Sequence, residues 1–165
     1  YPGTGEWETL TVPGRIRDPH SAAFLLDDGS VAFPVSQGRG LAVEPLDLPG
    51  KAAGVATTPS GFMVLLENGS VYVPDDWHGD ETPSMRELNL PGKAVAVSDG
   101  LIQLSDGTLL MSDPETMWDE MDPVEVPLPS PVKALMGSGW VLLQDNSIAN
   151  IDDYDGTVRL HDAKG

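Results

Sequence analysis

A two-residue turn flanked by β-rich runs recurs four times in 165 residues, as Asp28-Gly29, Asn68-Gly69, Asp106-Gly107 and Asp145-Asn146. Equivalent positions stand 40, 38 and 39 residues apart, and a period of this size marks a repeat architecture. A second phrase keeps the same beat: Val12-Pro13-Gly14-Arg15, Leu48-Pro49-Gly50-Lys51, Leu90-Pro91-Gly92-Lys93 and Leu128-Pro129-Ser130-Pro131-Val132-Lys133 each precede the next unit. Two phrases in fixed alternation define a unit that begins at the second and turns at the first.

The unit reads as four short strands. In the second, Lys51 to Ala56 is small and apolar, Phe62 to Leu66 is continuously apolar, Val71 to Val73 is β-branched and aromatic, and Arg86 to Leu90 alternates. Asn68-Gly69 is a strong hairpin signal, because the mirror-image turn that matches strand twist needs positive φ at both central residues. Runs such as Met63-Val64-Leu65-Leu66 and Val141-Leu142-Leu143 do not alternate, so both of their faces are expected to be covered by other sheets. The first strand of each unit is rich in Ala and Gly, as in Ala52-Ala53-Gly54 and Ala94-Val95-Ala96, which suits sheets converging on an axis. These features predict an all-β fold, a β-propeller of about four four-stranded antiparallel blades. The absence of a 3.6-residue period and the density of proline exclude helical repeats. One domain is expected over residues 1–165, with an outer strand at 6–13 and blades at approximately 15–49, 50–91, 92–130 and 131–163. Closure is open to three solutions: a small ring, a ring of eight blades shared by two chains, or part of a longer protein.

The stretch Asp18-Pro19-His20-Ser21-Ala22-Ala23-Phe24-Leu25-Leu26-Asp27-Asp28-Gly29-Ser30-Val31 resembles the regulator of chromosome condensation repeat, in which a His-Ser pair leads an apolar strand into an Asp-Gly hairpin. Units two and three keep the hairpin half, as Leu65-Leu66-Glu67-Asn68-Gly69-Ser70-Val71-Tyr72 and Leu104-Ser105-Asp106-Gly107-Thr108-Leu109. The Trp-Gly pair usual after that hairpin is replaced by Phe33-Pro34, Val73-Pro74, Met111-Ser112 and Asn150-Ile151. The resemblance implies a propeller, seven-bladed in the family, that serves as a protein-binding platform.

Charge narrows the partners. With 26 acidic against 9 basic side chains the net charge is -17, which repels a nucleic-acid backbone and favours a protein partner with a basic patch. The absence of cysteine removes disulfides, thiolate metal sites and cysteine nucleophiles. No apolar run reaches the roughly 18 residues of a membrane span, so no membrane insertion is expected. An extracellular or surface setting is expected over a cytoplasmic one.

Blade topology sorts the loops. The hairpins between second and third strands share one face with the connections to the next blade; there the basic residues Arg15, Lys51, Lys93 and Lys133 are expected to recur just before each inner strand. The opposite face carries the variable segments 37–41, 75–85, 113–123 and 152–157, and the last three hold 12 of the 26 acidic side chains. Arg39, Trp77, His78, Asp80, Trp118, Asp119 and Tyr154 fall in these segments and are the candidate partner-binding residues. Aromatic anchors set among orienting charges suit a protein interface on a rigid scaffold.

Chemistry finds little footing. Asp152-Asp153-Tyr154-Asp155-Gly156 has part of a calcium-loop pattern but lacks its terminal Glu, and His20, His78 and His161 stand at no zinc-ligand spacing. There is no nucleophile elbow and no phosphate-binding glycine loop. The expected function is therefore a non-enzymatic protein-interaction module without cofactor or metal, with self-association as a further possibility of the unclosed ring. The alternative from another class is a carbohydrate- or receptor-binding module of a secreted, surface or virion protein, stacking sugars on Trp77, Trp118 and Tyr154. A carboxylate enzyme at the axial mouth is the third reading.

Overall fold

The computed structural model describes residues 11–19, 23–37, 40–58, 61–76, 82–111, 123–152 and 156–161. Among the described residues, sixteen strands form four four-stranded antiparallel sheets, each a meander whose neighbours follow chain order. Blade 1 is β1 (Ile16–Pro19), β2 (Phe24–Leu26), β3 (Val31–Gln37) and β4 (Gly40–Pro45). Blade 2 is β5 (Ala52–Thr58), β6 (Gly61–Leu66), β7 (Val71–Asp76) and β8 (Ser84–Glu87). Blade 3 is β9 (Ala94–Ser98), β10 (Leu101–Leu104), β11 (Leu109–Met111) and β12 (Val124–Glu125). Blade 4 is β13 (Val132–Gly137), β14 (Trp140–Leu143), β15 (Ile148–Ile151) and β16 (Val158–His161). The architecture is that of a four-bladed β-propeller, as the repeat predicts.

The hairpin after each second strand is built the same way every time. The side chains of Asp28, Asn68, Asp106 and Asp145 each accept the backbone N–H two residues on, at 2.9 Å, the Asx geometry that makes these residues turn formers. Gly29, Gly69 and Gly107 follow with φ of 84°, 89° and 88° while Asp28, Asn68 and Asp106 keep negative φ, so the expected mirror-image turn with both residues at positive φ is replaced by a turn closed from the glycine N–H to the Leu26, Leu66 and Leu104 carbonyls. The glycine carbonyls accept the N–H of Ala52, Ala94 and Val132 at 2.8, 3.0 and 2.8 Å. Each blade's first strand is thus tied to the hairpin of the blade before it. A Cβ on Gly107 would lie 2.5 Å from Cβ of Pro131, so this landing requires glycine.

Three apolar cores hold successive blades together. Leu25, Val31 and Phe33 of blade 1 meet Phe62, Val64 and Leu66 of blade 2. Met63, Leu65, Val71 and Val73 on the other face of blade 2 meet Ile102, Leu104 and Leu110 of blade 3. Leu101, Leu109 and Met111 then meet Val141, Leu143, Ala149 and Ile151 of blade 4. Alternating residues of one strand serve opposite cores, which is why β6 is apolar from Phe62 to Leu66 and every residue of β10 is buried. Gln103, at a core-facing position of β10, is buried and donates from Nε2 to the Val132 carbonyl at 3.3 Å, so its polar end is satisfied. Among the described residues no core joins blade 4 to blade 1.

Several local expectations shift. β3 and β4 run on to pair Gln37 with Gly40, so part of the segment 37–41 expected as a loop belongs to strands. β8 ends at Glu87, so Leu88 and Leu90 lie after the outer strand rather than within it; Leu88 is nonetheless buried. The recurring basic position also needs correction. The carbonyls of Arg15, Lys51 and Lys93 accept the N–H of Asp27, Glu67 and Ser105, and the matching carbonyl of the fourth unit belongs to Pro131, which accepts from Gln144. Pro129-Ser130-Pro131 occupies the place of Pro-Gly-Lys, which moves Lys133 inside β13. The expected outer strand at 6–13 falls largely outside the described residues, as does His20.

Candidate functional site

The two rims of the blade array differ in what they have left to offer. On the hairpin rim, the turn residues are occupied by their own loops, beside a cleft of 470 Å³ lined by Asn68, Ser70, Glu87, Asn89 and Lys93. Arg15 Nε lies 3.6 Å from Asp27 Oδ2, and Lys51 adds a favourable field at Asp28. The Ser30 hydroxyl and backbone N–H hold the Asp28 carboxyl below its ordinary value of 3.8. Thr108, through its N–H and then its hydroxyl, does the same to Asp106, and the Ser147 hydroxyl and N–H to Asp145. Local hydrogen bonds, not burial, set these shifts.

A pH response follows from their sign. A carboxyl lowered by folding contributes stability above its unfolded value, and that contribution is lost as pH falls through the folded value. Melting temperature is therefore expected to drop as pH is lowered from about 5 to about 2. In the triple variant Asp28→Asn, Asp106→Asn, Asp145→Asn the drop should be shallower, since Asn68 already makes the same backbone hydrogen bond without a charge. An equal drop in both proteins would show that the hairpin carboxylates do not carry the acid response.

The opposite rim is where the four blades cease to agree. Its turns are Asp99-Gly100 in blade 3 and Ser138-Gly139 in blade 4, all four at positive φ, between 47° and 79°. Asp99 Oδ2 accepts from the Ser98 hydroxyl at 2.9 Å and from the Ser138 N–H at 2.6 Å, so one carboxylate links neighbouring blades. Gly100 donates its N–H to the Thr57 carbonyl at 2.9 Å and links blades 2 and 3. A cleft of 400 Å³ opens beside these turns, lined by Asp99, Ser138, Gly139, Asn150, Ile151 and Asp152. Its walls present carboxylate, amide and hydroxyl groups.

Arg39, Trp77, His78, Asp80, Trp118, Asp119 and Tyr154 lie outside the described residues. The strand ends that carry their segments all reach this rim: Gln37 and Gly40, Asp76 and Ser84, Met111 and Val124, Ile151 and Val158. The base of the second segment is braced, since Arg86 Nε lies 3.4 Å from Asp75 Oδ1 and the Thr82 hydroxyl donates to Glu44 of blade 1. Asp99, Ser138 and Asn150 are additions that the sequence reading missed. A signal for them existed: Asp99 and Ser138 stand 39 residues apart, one repeat period.

Solved structures carry the same blades. Human WBSCR16 is similar over 84% of this chain and 48% of its own, at 13% identity with a TM-score of 0.59. The fold is that of an RCC1-like propeller. Prp20p from Saccharomyces cerevisiae, in a structure described with its binding properties to Gsp1p and histones, matches over 77% of this chain and 40% of its own, at 15% identity and a TM-score of 0.53. The yeast RCC1 (Prp20) to which Kap60 is bound matches over 77% and 38%, again at 15% identity, with a TM-score of 0.51. The chain spans about half the length of these propellers or less. No protein-family model and no curated protein matches it.

Proposed function

We propose that this chain is a non-enzymatic protein-interaction module that binds a basic partner through its acidic, aromatic rim. The observation that carries the reading is the division of labour between the rims. The hairpin turns repeat the same internal hydrogen bonds in every blade, whereas the opposite rim bears the segments that vary from blade to blade, beside a cleft at Asp99 and Asp152. Loops held on a rigid sheet scaffold place contact residues at little entropic cost. Similar propellers are described with protein partners, Gsp1p and histones for Prp20p and Kap60 for yeast RCC1, which supports a protein rather than a small molecule as the ligand. Trp77, Trp118 and Tyr154 are the anchors in this reading, and Arg39, His78, Asp80 and Asp119 orient the partner.

The test uses purified core histones and a lysine-rich peptide as probes. Affinity is expected to fall about tenfold or more in Trp77→Ala, Trp118→Ala relative to the unaltered chain, and association is expected to slow as salt rises. Equal affinity in both proteins would remove the rim from the interface. The three aromatics also favour a second reading, stacking on sugar rings. A glycan array bound by the unaltered chain and lost in the same variant, with no histone binding, would select it.

A further inference from the structure

We infer that Asn68-Gly69 is a self-modification site, where the side-chain amide is converted to a carboxylate by attack of the chain's own backbone, and that the blade is already built to hold the product. Four hairpins occupy equivalent places, and three carry aspartate where blade 2 carries Asn68. Asn68 is exposed, and Gly69 has no Cβ to crowd the approach of its backbone nitrogen to Asn68 Cγ. That nitrogen gives up its proton to solvent and forms a bond to Cγ, while the amide C–N bond breaks and ammonia leaves, closing a five-membered cyclic imide. Water then opens the imide at one of its two carbonyls. The net change is amide plus water to carboxylate plus ammonium, with no oxidation or reduction.

The other three asparagines are worse placed. Asn89 is exposed too, but Leu90 follows it, and Ile151 follows Asn150, so a side chain crowds the attacking nitrogen in both. After Asn146 comes Ser147, whose N–H is donated to the Asp145 carboxylate at 2.9 Å, and that negative charge opposes loss of the proton. The Gly69 N–H is donated instead to the neutral Leu66 carbonyl at 3.0 Å. A local opening of this exposed turn is enough to free it.

The sibling hairpins show how the fold receives each product. Asp28, Asp106 and Asp145 accept the N–H two residues on at 2.9 Å, the distance at which Asn68 accepts from Ser70. Ser70 stands where the Ser30 and Ser147 hydroxyls donate to the aspartate at 2.6 Å. The Lys93 stem crosses the Gly69 turn as Lys51 crosses Gly29, with Cβ 3.0 and 2.9 Å from where a glycine Cβ would stand, and Lys51 favours the charge on Asp28. An aspartate at this position therefore finds its partners in place, facing the cleft that Asn68 shares with Glu87 and Lys93. Isoaspartate does not. It adds one atom to the backbone of the turn and displaces the Gly69 carbonyl, which ties blade 3 to blade 2 by accepting the Ala94 N–H.

The test ages the purified chain in mildly alkaline buffer, folded and in urea, with peptide mapping by mass spectrometry. Asn68 is expected to convert at least about tenfold faster than Asn89, Asn146 or Asn150, and about tenfold or more slower in the folded chain than in urea, because the turn must open first. Ion exchange should separate the products from the parent, since each carries one more negative charge. Asn68→Asp and the aspartate product should melt at or above the parent at neutral pH, and lose any margin in acid as the carboxylate takes up its proton. The isoaspartate product, identical in mass and charge, should melt below both. Conversion at Asn68 no faster than at the other asparagines, conversion in urea alone, a destabilised Asn68→Asp variant, or two products of equal stability would each overturn the inference.

Discussion

Replacing Phe62 by alanine is expected to cost about 3 to 5 kcal/mol, the range for removing a buried aromatic ring from a packed core. Phe62 is fully buried between blades 1 and 2 and stacks on Phe33 at 5.5 Å. The equivalent residues of blades 3 and 4 are Gly100 and Gly139, so this interface depends on a ring where the others use none. Neighbours cannot readily fill the space, because Ala23, Val64 and Leu66 are already packed around the same core. The blades contact chiefly in chain order, and in such arrays stability is a sum of unit and nearest-neighbour terms. The lesion should accordingly fall on blade 1 first. In urea, the variant is expected to show a lower midpoint and a broader transition, with the blade 3 to blade 4 core of Leu109, Met111, Val141 and Leu143 unfolding last. A loss under about 1 kcal/mol with an unchanged slope would show that the ring does not hold the two blades together.

Gly107→Ala should be nearly as damaging, by about 2 to 4 kcal/mol, for a reason that lies in the backbone. Its φ of 88° is strained for any residue with a Cβ, and that Cβ would be placed 2.5 Å from Cβ of Pro131. Relief requires moving the linker, which lengthens the 2.8 Å hydrogen bond from the Val132 N–H to the Gly107 carbonyl. That bond ties blade 4 to blade 3. The control is Asn146→Ala, at the matching turn of blade 4, which should cost only about 1 kcal/mol. Among the described residues no following strand donates to its carbonyl. Thermal or urea unfolding of the pair decides the matter: similar losses in both would mean that the turn, and not the landing of the next blade, is what glycine serves.

Much of this architecture is local, and local features can be read from a chain. Asp28-Gly29, Asn68-Gly69 and Asp106-Gly107 specify their turns through short-range hydrogen bonds and positive φ, and uninterrupted runs such as Phe62 to Leu66 declare strands covered on both sides. The candidate rim was legible only as a set of segments between strands. Which polar groups form its floor was not, because Asp99 and Ser138 meet across two blades through a side-chain to backbone bond. Lys133 misled for a related reason. Its position after a proline imitates Lys51 and Lys93, and only the hydrogen bond from Gln144 to the Pro131 carbonyl reveals the offset.

The amino-acid sequence alone therefore determined the repeat, the hairpins and the four-stranded blade, since each depends on residues within a few positions of one another. The tertiary structure decided which faces are spent on internal cores and which remain open. Val141-Leu142-Leu143 reads like Met63-Val64-Leu65-Leu66, and nothing in its letters distinguishes a covered strand from one with a bare face. Leu65 is buried and Leu142 is not because burial belongs to the neighbour: blade 3 lies against one, and no core among the described residues covers the other.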